Sequence, residues 1–173
     1  DGLARSLGAT AVPADLSTPE GPRAAVDGAV AALGGLDLLV VNSGGPAPGT
    51  FAEVDEAAWE RSIDGTLRST LRVLRNAIPH LQGSASPAIL VILSSSVREP
   101  IPALITSNVL RPGLAGLVKS LVGEIAPVRI NGIAPGRVAT GRIAMLDAKR
   151  AKDAGITQEQ VQAQTTARIP LGR

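Results

Sequence analysis

The sequence predicts a doubly wound α/β protein, a parallel sheet between helices in three layers (α/β/α), on three observations. Two short apolar runs, "LDLLVVN" (Leu36 to Asn42) and "AILVIL" (Ala88 to Leu93), lack the alternation of a half-exposed strand and suit central strands covered on both faces. Stretches of helical periodicity separate the strand candidates. The resulting order, strand, helix, strand, helix, strand, helix, strand, demands crossover connections and so parallel pairing.

Each element follows from local signals. "GATAVPADL" reads as the first strand and reaches Asp15. Ser17 or Thr18 can cap the next helix, Pro19 suits its first turn, and Gly34-Gly35 stops it after Leu33. Asp55 precedes a long helix in which Trp59, Ile63, Leu67, Leu71, Leu74 and Ile78 recur at helical spacing, with Pro79 expected to end it. A third helix is expected over Ser107 to Ile125, and "VRINGIAPG" reads as the fourth strand, ending near Pro135. Thr157 and Gln160 form a capping-box pattern for a short helix carrying Val161. Four strands alone would leave an exposed edge, so further terminal segments are expected outside these 173 residues.

Composition narrows the class. With 45% hydrophobic and 18% charged residues, residues 1–173 are expected to form one domain with one core. There is no Cys, so disulfides and thiolate metal sites are ruled out, no metal site is expected, and a reducing, cytoplasmic setting is the simplest assumption. The net charge is +2 and the pI near 9.7, a small excess of base. Arg61, Arg68, Arg72 and Arg75 share one predicted helix and read as a solvated or subunit-facing surface, not a nucleic-acid site. One Phe, one Trp and no Tyr leave almost nothing to stack on bases. No apolar run is long enough to span a bilayer, and no signal-peptide pattern opens the chain.

In open parallel sheets, ligands bind beyond the carboxyl ends of the strands, where helix N-termini and loops present free N–H groups. Four stretches fall there and are expected to converge on one crevice: Asp15-Leu16, "NSGGP" from Asn42 through Ser43 and Gly44 to Pro46, Ser94 to Ser96, and "PGRVAT" from Pro135 to Thr140. Gly44 and Gly45 would let a flat ligand approach the backbone. Each stretch also has a plainer reading as a turn or a polar strand end.

As an ordered set, these pieces resemble the short-chain dehydrogenase/reductase family. The matching segments are "ADL", "LDLLVVNSGG", "ILVILSSS", "GLAGLVKSLVGEIAP", "RINGIAPGRVAT" and "ARIPLGR", and they span Ala9 to Arg173. Within the family, the nearest resemblance is to bacterial 3-oxoacyl-carrier-protein reductases. It implies a Rossmann-like domain that binds NAD or NADP and moves hydride to or from a small-molecule carbonyl or alcohol. It also implies a homotetramer or homodimer built through the two long helices, and a substrate lobe over 141–170. A Gly-rich phosphate loop at the start and one more strand at the end would lie outside these residues, and family members carry a couple of residues more where Pro127 runs into Val128. The resemblance assigns Asp15 and Leu16 to the adenine end, Asn42, Ser43 and Gly44 to the cofactor, and Pro135, Gly136, Val138 and Thr140 to the motif that meets the nicotinamide carboxamide.

The catalytic positions depart from the pattern. Counted back from "GLAGLVKS", the family's Tyr, Lys, Ser and Asn fall on Ser107, Arg111, Ser94 and Thr66, so one of four remains. A serine hydroxyl is far less acidic than a phenol, and arginine stays charged without sharing a proton. Ser94, Ser107 and Arg111 are therefore the candidate reaction centre, with Arg111 also on the cofactor ribose. The plainer readings stay open beside this one: Ser107 and Asn108 as a helix cap, Arg111 as a solvated side chain, His80 as surface and Trp59 as part of a core stripe. Three functions stay open: an oxidoreductase with a non-standard centre, a catalytically idle dinucleotide-binding or scaffold relative, or a pure protein-interaction domain on the same fold. Ile143, Met145, Leu146 and Ile156 give the expected substrate lobe an aliphatic character suited to an acyl or other hydrophobic substrate.

Overall fold

Three strands, β1 (Leu38–Val41), β2 (Ala88–Ile92) and β3 (Arg129–Ile133), pair in the order β1-β2-β3, parallel throughout. Leu39, Ile89 and Ile130 stand in one register, so their side chains share a face. The computed structural model describes residues 2–171. They fall into a first unit ending at Pro135, which holds the sheet, and a second beginning at Gly136.

In the first unit, α1 (Gly2–Ser6) is followed by α2 (Gly21–Leu33), a long helical run Glu56–Leu81 and α5 (Ile105–Glu124). The run comprises α3 (Glu56–Ser62), a π-helical segment (Ile63–Arg68) and α4 (Ser69–Leu81). Val26 of α2, Val73, Leu74, Ala77 and Leu81 of α4, and Val118 of α5 pack in one core with Val41, Ile89, Val91 and Ile130. Helices thus cover one face of the sheet, while Leu38 and Val40, of opposite parity on β1, are exposed. The second unit holds α6 (Gly141–Ala154) and α7 (Gln158–Thr166).

Several sequence signals act as expected. Gly34 ends α2 in the left-handed conformation (φ 79°). Asp55 accepts from the Ala58 amide, and Thr157 and Gln160 close a capping box. His80 is exposed.

Others are corrected. Residues 9–15 do not form a strand, because no neighbouring strand pairs with them, so the sheet of the described residues has three strands. α2 begins at Gly21 with Pro22 in its first turn, although the Thr18 hydroxyl still accepts from the Gly21 amide at 3.0 Å. Pro79 lies inside α4, close enough to its end to remove one bond without ending the helix. α5 begins two residues before Ser107, so Ser107 and Asn108 do not cap it. Trp59, Ile63, Leu67 and Leu71 are only half-buried, and the face α3 and its continuation bury carries Ser62, Thr66, Ser69 and Thr70. Of the four arginines, Arg61 and Arg75 are exposed and Arg68 pairs with Asp64 at 3.1 Å, as a solvated surface would have it.

The turn into α2 depends on one glycine. A Cβ at Gly21 would lie 1.7 Å from the Asp15 carbonyl oxygen, a backbone atom that cannot step aside. Gly21→Ala is expected to destabilise the protein by about 3 kcal/mol, the upper end of overpacking costs. Chemical denaturation checks this, and an unchanged midpoint would contradict it.

Candidate active site

The site forms where the carboxyl ends of β1 and β2 meet the first turns of α5. After β1 residues 42–48 belong to no helix or strand, and side chains hold their backbone. The Ser62 hydroxyl accepts from the Ala47 amide at 3.1 Å, and Thr106 donates to the Ala47 carbonyl at 2.6 Å. Gly49 bridges to Leu104 in parallel fashion, giving its amide to Ala103 and accepting from Ile105. Gly49 has φ 148°, and a Cβ there would come within 2.8 Å of Val54, so the position favours glycine.

Arg111 lies at the centre. It is 6% exposed, so the solvated reading of this side chain is corrected. Its Nη1 donates to the Ile92 carbonyl at 2.7 Å, at the end of β2, and its Nη2 reaches the Gly44 carbonyl at 3.5 Å. Thr66, 1% exposed, donates to that same Gly44 oxygen at 3.3 Å. Thr66 sits in the π-helical segment, a feature often found at functional sites. The carbonyls displaced by the wider turn are satisfied locally: Ser69 donates to Gly65 at 2.8 Å and Thr70 to Thr66 at 2.8 Å.

Three serines surround this bracket. Ser94, half-buried, accepts from the Ser96 amide at 3.2 Å and caps the short 3₁₀ turn Ser95–Val97, which leaves its own O–H free to donate elsewhere. Ser96 is buried and reaches both the Ser107 carbonyl (3.3 Å) and the Ser107 hydroxyl (3.2 Å). With the Ser96 proton on the carbonyl, the Ser107 proton can rest on Ser96 or turn to another acceptor. The stretch Ser94 to Ser96 is expected at the crevice, but the 3₁₀ turn that swings Ser96 against Ser107 leaves no spacing signature. Asn108, in place of a capping role, holds both backbone groups of Ile101, each at 2.9 Å.

The remaining predicted residues divide. Gly44 joins the Arg111 bracket, Ser43 beside it is buried and Asn42 is exposed. Leu16 packs against the core. Asp15 is exposed in the loop before α2, and its Oδ1 receives the Ser17 hydroxyl at 2.7 Å and the Ser17 amide at 2.9 Å. Pro135 closes the first unit, while Gly136, Val138 and Thr140 belong to the second, where Thr140 caps α6 by accepting from Ile143 at 3.4 Å. Among the described residues no cluster of His, Asp and Glu could hold a metal ion, and no helix is long and apolar enough to cross a membrane.

Comparison with known proteins gives this architecture its class. The family model described as "Enoyl-(Acyl carrier protein) reductase" matches residues 1–173. The chain is 32% identical over 133 residues to a Rhizobium meliloti protein named "Probable galactose dehydrogenase GalD", covering 76% of this chain and 52% of that one. It is 30% identical over 121 residues to human dehydrogenase/reductase SDR family member 4, covering 68% of this chain and 44% of that one. The chain thus spans about half the length of these relatives. It superposes on L-sorbose reductase from Gluconobacter frateurii, solved with NADPH and L-sorbose, with a TM-score of 0.86 and 25% identity, over 99% of this chain and 67% of that one. The fold is the doubly wound, three-layer α/β/α fold of these enzymes. The chain belongs to the short-chain dehydrogenase/reductase family.

The Ser17 hydroxyl and then its amide hold the Asp15 carboxyl below the usual aspartate range. Because the folded value lies below the unfolded one, the stability this contact gives is complete above about pH 4 and is lost as pH falls through the folded value. An NMR titration should find Asp15 below the ordinary value of about 3.9 and should find it restored toward that value in Ser17→Ala. An ordinary titration in both proteins would contradict the contact.

Proposed function

We propose that the protein is an NAD(P)-dependent oxidoreductase that interconverts a small-molecule carbonyl and alcohol, with a serine-based centre in place of the family's tyrosine and lysine. The observation that carries the reading is the grouping of Ser94, Ser96, Ser107 and Arg111 where β1 and β2 end, the position at which ligands bind in such sheets. A dinucleotide fits what the chain offers beside them: a Cβ built at Gly44 would touch nothing within 4 Å, so space lies open above the backbone after β1.

In this reading Asn42, Ser43 and Gly44 line the cofactor, Asp15 with Leu16 lies toward its adenine end, and Pro135, Gly136, Val138 and Thr140 form the motif for its nicotinamide carboxamide. When bound, the nicotinamide supplies or accepts the hydride. The protein's own groups act on the substrate oxygen: Ser94 and Ser107 donate hydrogen bonds to it, and Ser96 orients Ser107. Arg111 contributes a buried positive field that favours negative charge developing on that oxygen. Neither hydroxyl matches the acidity of a phenol, so a water or a substrate group completes proton delivery, and turnover is slow by about 10²–10⁴ relative to a positioned acid.

L-sorbose reductase and an actinorhodin polyketide ketoreductase are described with NADPH, and an NADH-dependent reductase with NAD, which supports use of a nicotinamide dinucleotide without choosing between them. The 3-oxoacyl-type substrate and a homotetrameric or homodimeric assembly follow from the family resemblance, with residues 141–170 as the substrate lobe. One observation favours the idle reading: the Arg111 guanidinium spends hydrogen bonds on two backbone carbonyls of its own chain.

Fluorescence titration with NADH and NADPH, followed by turnover on a panel of acetoacetyl, sugar and quinone-like carbonyls, separates the readings. Binding with turnover is expected. Ser107→Ala is expected to lower kcat by about 10²–10³ while leaving dinucleotide affinity nearly unchanged, since its bond forms to the reacting oxygen. Binding without turnover on any substrate supports the idle dinucleotide-binding relative, and failure to bind either dinucleotide overturns both the oxidoreductase and that relative in favour of a scaffold.

A further inference from the structure

We propose that the ion pair between Arg137 and Asp147 is a positioning device, which sets the turn carrying Val138 and Thr140 and thereby the grip on the nicotinamide end of the cofactor; this rests on the dinucleotide reading above. Asp147 lies in the second turn of α6 and is 0% exposed. Its Oδ2 is 2.6 Å from Arg137 Nη2, whereas its Oδ1 has no hydrogen-bond partner among the described residues. In the pairs Arg23–Asp27, Arg68–Glu60, Arg68–Asp64, Arg72–Asp64 and Lys149–Asp153, by contrast, both side chains are at least 26% exposed. Exposed pairs contribute little, but breaking a buried one leaves an uncompensated charge. Compensation of the buried carboxylate therefore falls on Arg137.

Arg137 stands in the middle of the segment 134–140, which has no helix or strand of its own. The pair ties this segment, ten residues away in sequence, to the rigid body of α6. Thr140 ties its far end by capping the same helix. Val138 and Ala139 are the short span between two anchors, and both are exposed, so they are held in place yet free to meet a ligand. Loss of either partner of the pair releases the span without removing any side chain assigned to the cofactor.

The test uses the full-length protein with Arg137→Gln, Asp147→Asn, the double variant and Arg137→Lys, and measures affinity for the reduced dinucleotide and for the matching ADP-ribose, which lacks the nicotinamide. Each neutral single variant is expected to weaken dinucleotide binding about tenfold, with the double variant no weaker than the worse single, as coupled partners behave. ADP-ribose affinity should change by less than about twofold, and Arg137→Lys should retain more dinucleotide affinity than Arg137→Gln. A merely structural pair would lower both affinities together. Equal losses for both ligands, additive losses in the double variant, or no loss at all would overturn the proposal. Wild-type protein that binds neither ligand would sink the dinucleotide reading, and the proposal with it.

Discussion

The buried guanidinium of Arg111 is the contact on which the site depends. A charge removed from water must be hydrogen-bonded, and the planar fork of arginine can serve two acceptors at a fixed separation, which a lysine ammonium does less well. Here the acceptors are the Ile92 carbonyl at the end of β2 and the Gly44 carbonyl in the loop after β1. One side chain from α5 thus draws together the ends of two neighbouring strands. The position that the family resemblance gives to a lysine has become a structural bracket.

The surroundings of that bracket explain why an unusually polar helix face is buried. Ser62, Thr66, Ser69 and Thr70 would be poor choices against an apolar core, yet they face irregular backbone that needs partners. Ser62 and Thr106 satisfy Ala47, Thr66 satisfies Gly44, and Ser69 and Thr70 satisfy the π-helical turn itself. Hydroxyl groups do here what strand pairing does elsewhere. The loop is thereby held open at Gly44 without a side chain standing in it.

This arrangement also marks what could be read from the sequence. Continuous apolar runs located β1 and β2, "VRINGIAPG" located β3, and capping chemistry located Asp55, Gly34 and Thr157, because those signals act within a few residues. Residues 9–15 were misread because a strand exists only through its partner, and none pairs with them among the described residues. Of the apolar stripe, Leu74 and Ile78 do meet the core, whereas Trp59, Ile63, Leu67 and Leu71 stay half-buried, because apolar periodicity cannot register a helix whose buried face serves backbone. Register singles out Ser94 and Ser107, whereas it gives Ser96 no role of its own, because a single 3₁₀ turn decides which serine meets Ser107. Arg137 and Asp147 carried no signal, since nothing in their ten-residue spacing distinguishes a buried pair from two solvated charges.

In the proposed centre, Ser94 and Ser107 face the reacting end of a bound dinucleotide while Arg111 holds the Ile92 and Gly44 carbonyls. A crystal structure of the full-length protein with NADH or NADPH tests it most directly. The expected result is a nicotinamide ring within about 4.5 Å of Ser107, in van der Waals contact, and above the backbone of Gly44, with Arg111 still on the Ile92 carbonyl. A dinucleotide seated elsewhere, or an Arg111 side chain turned out to solvent, would contradict it.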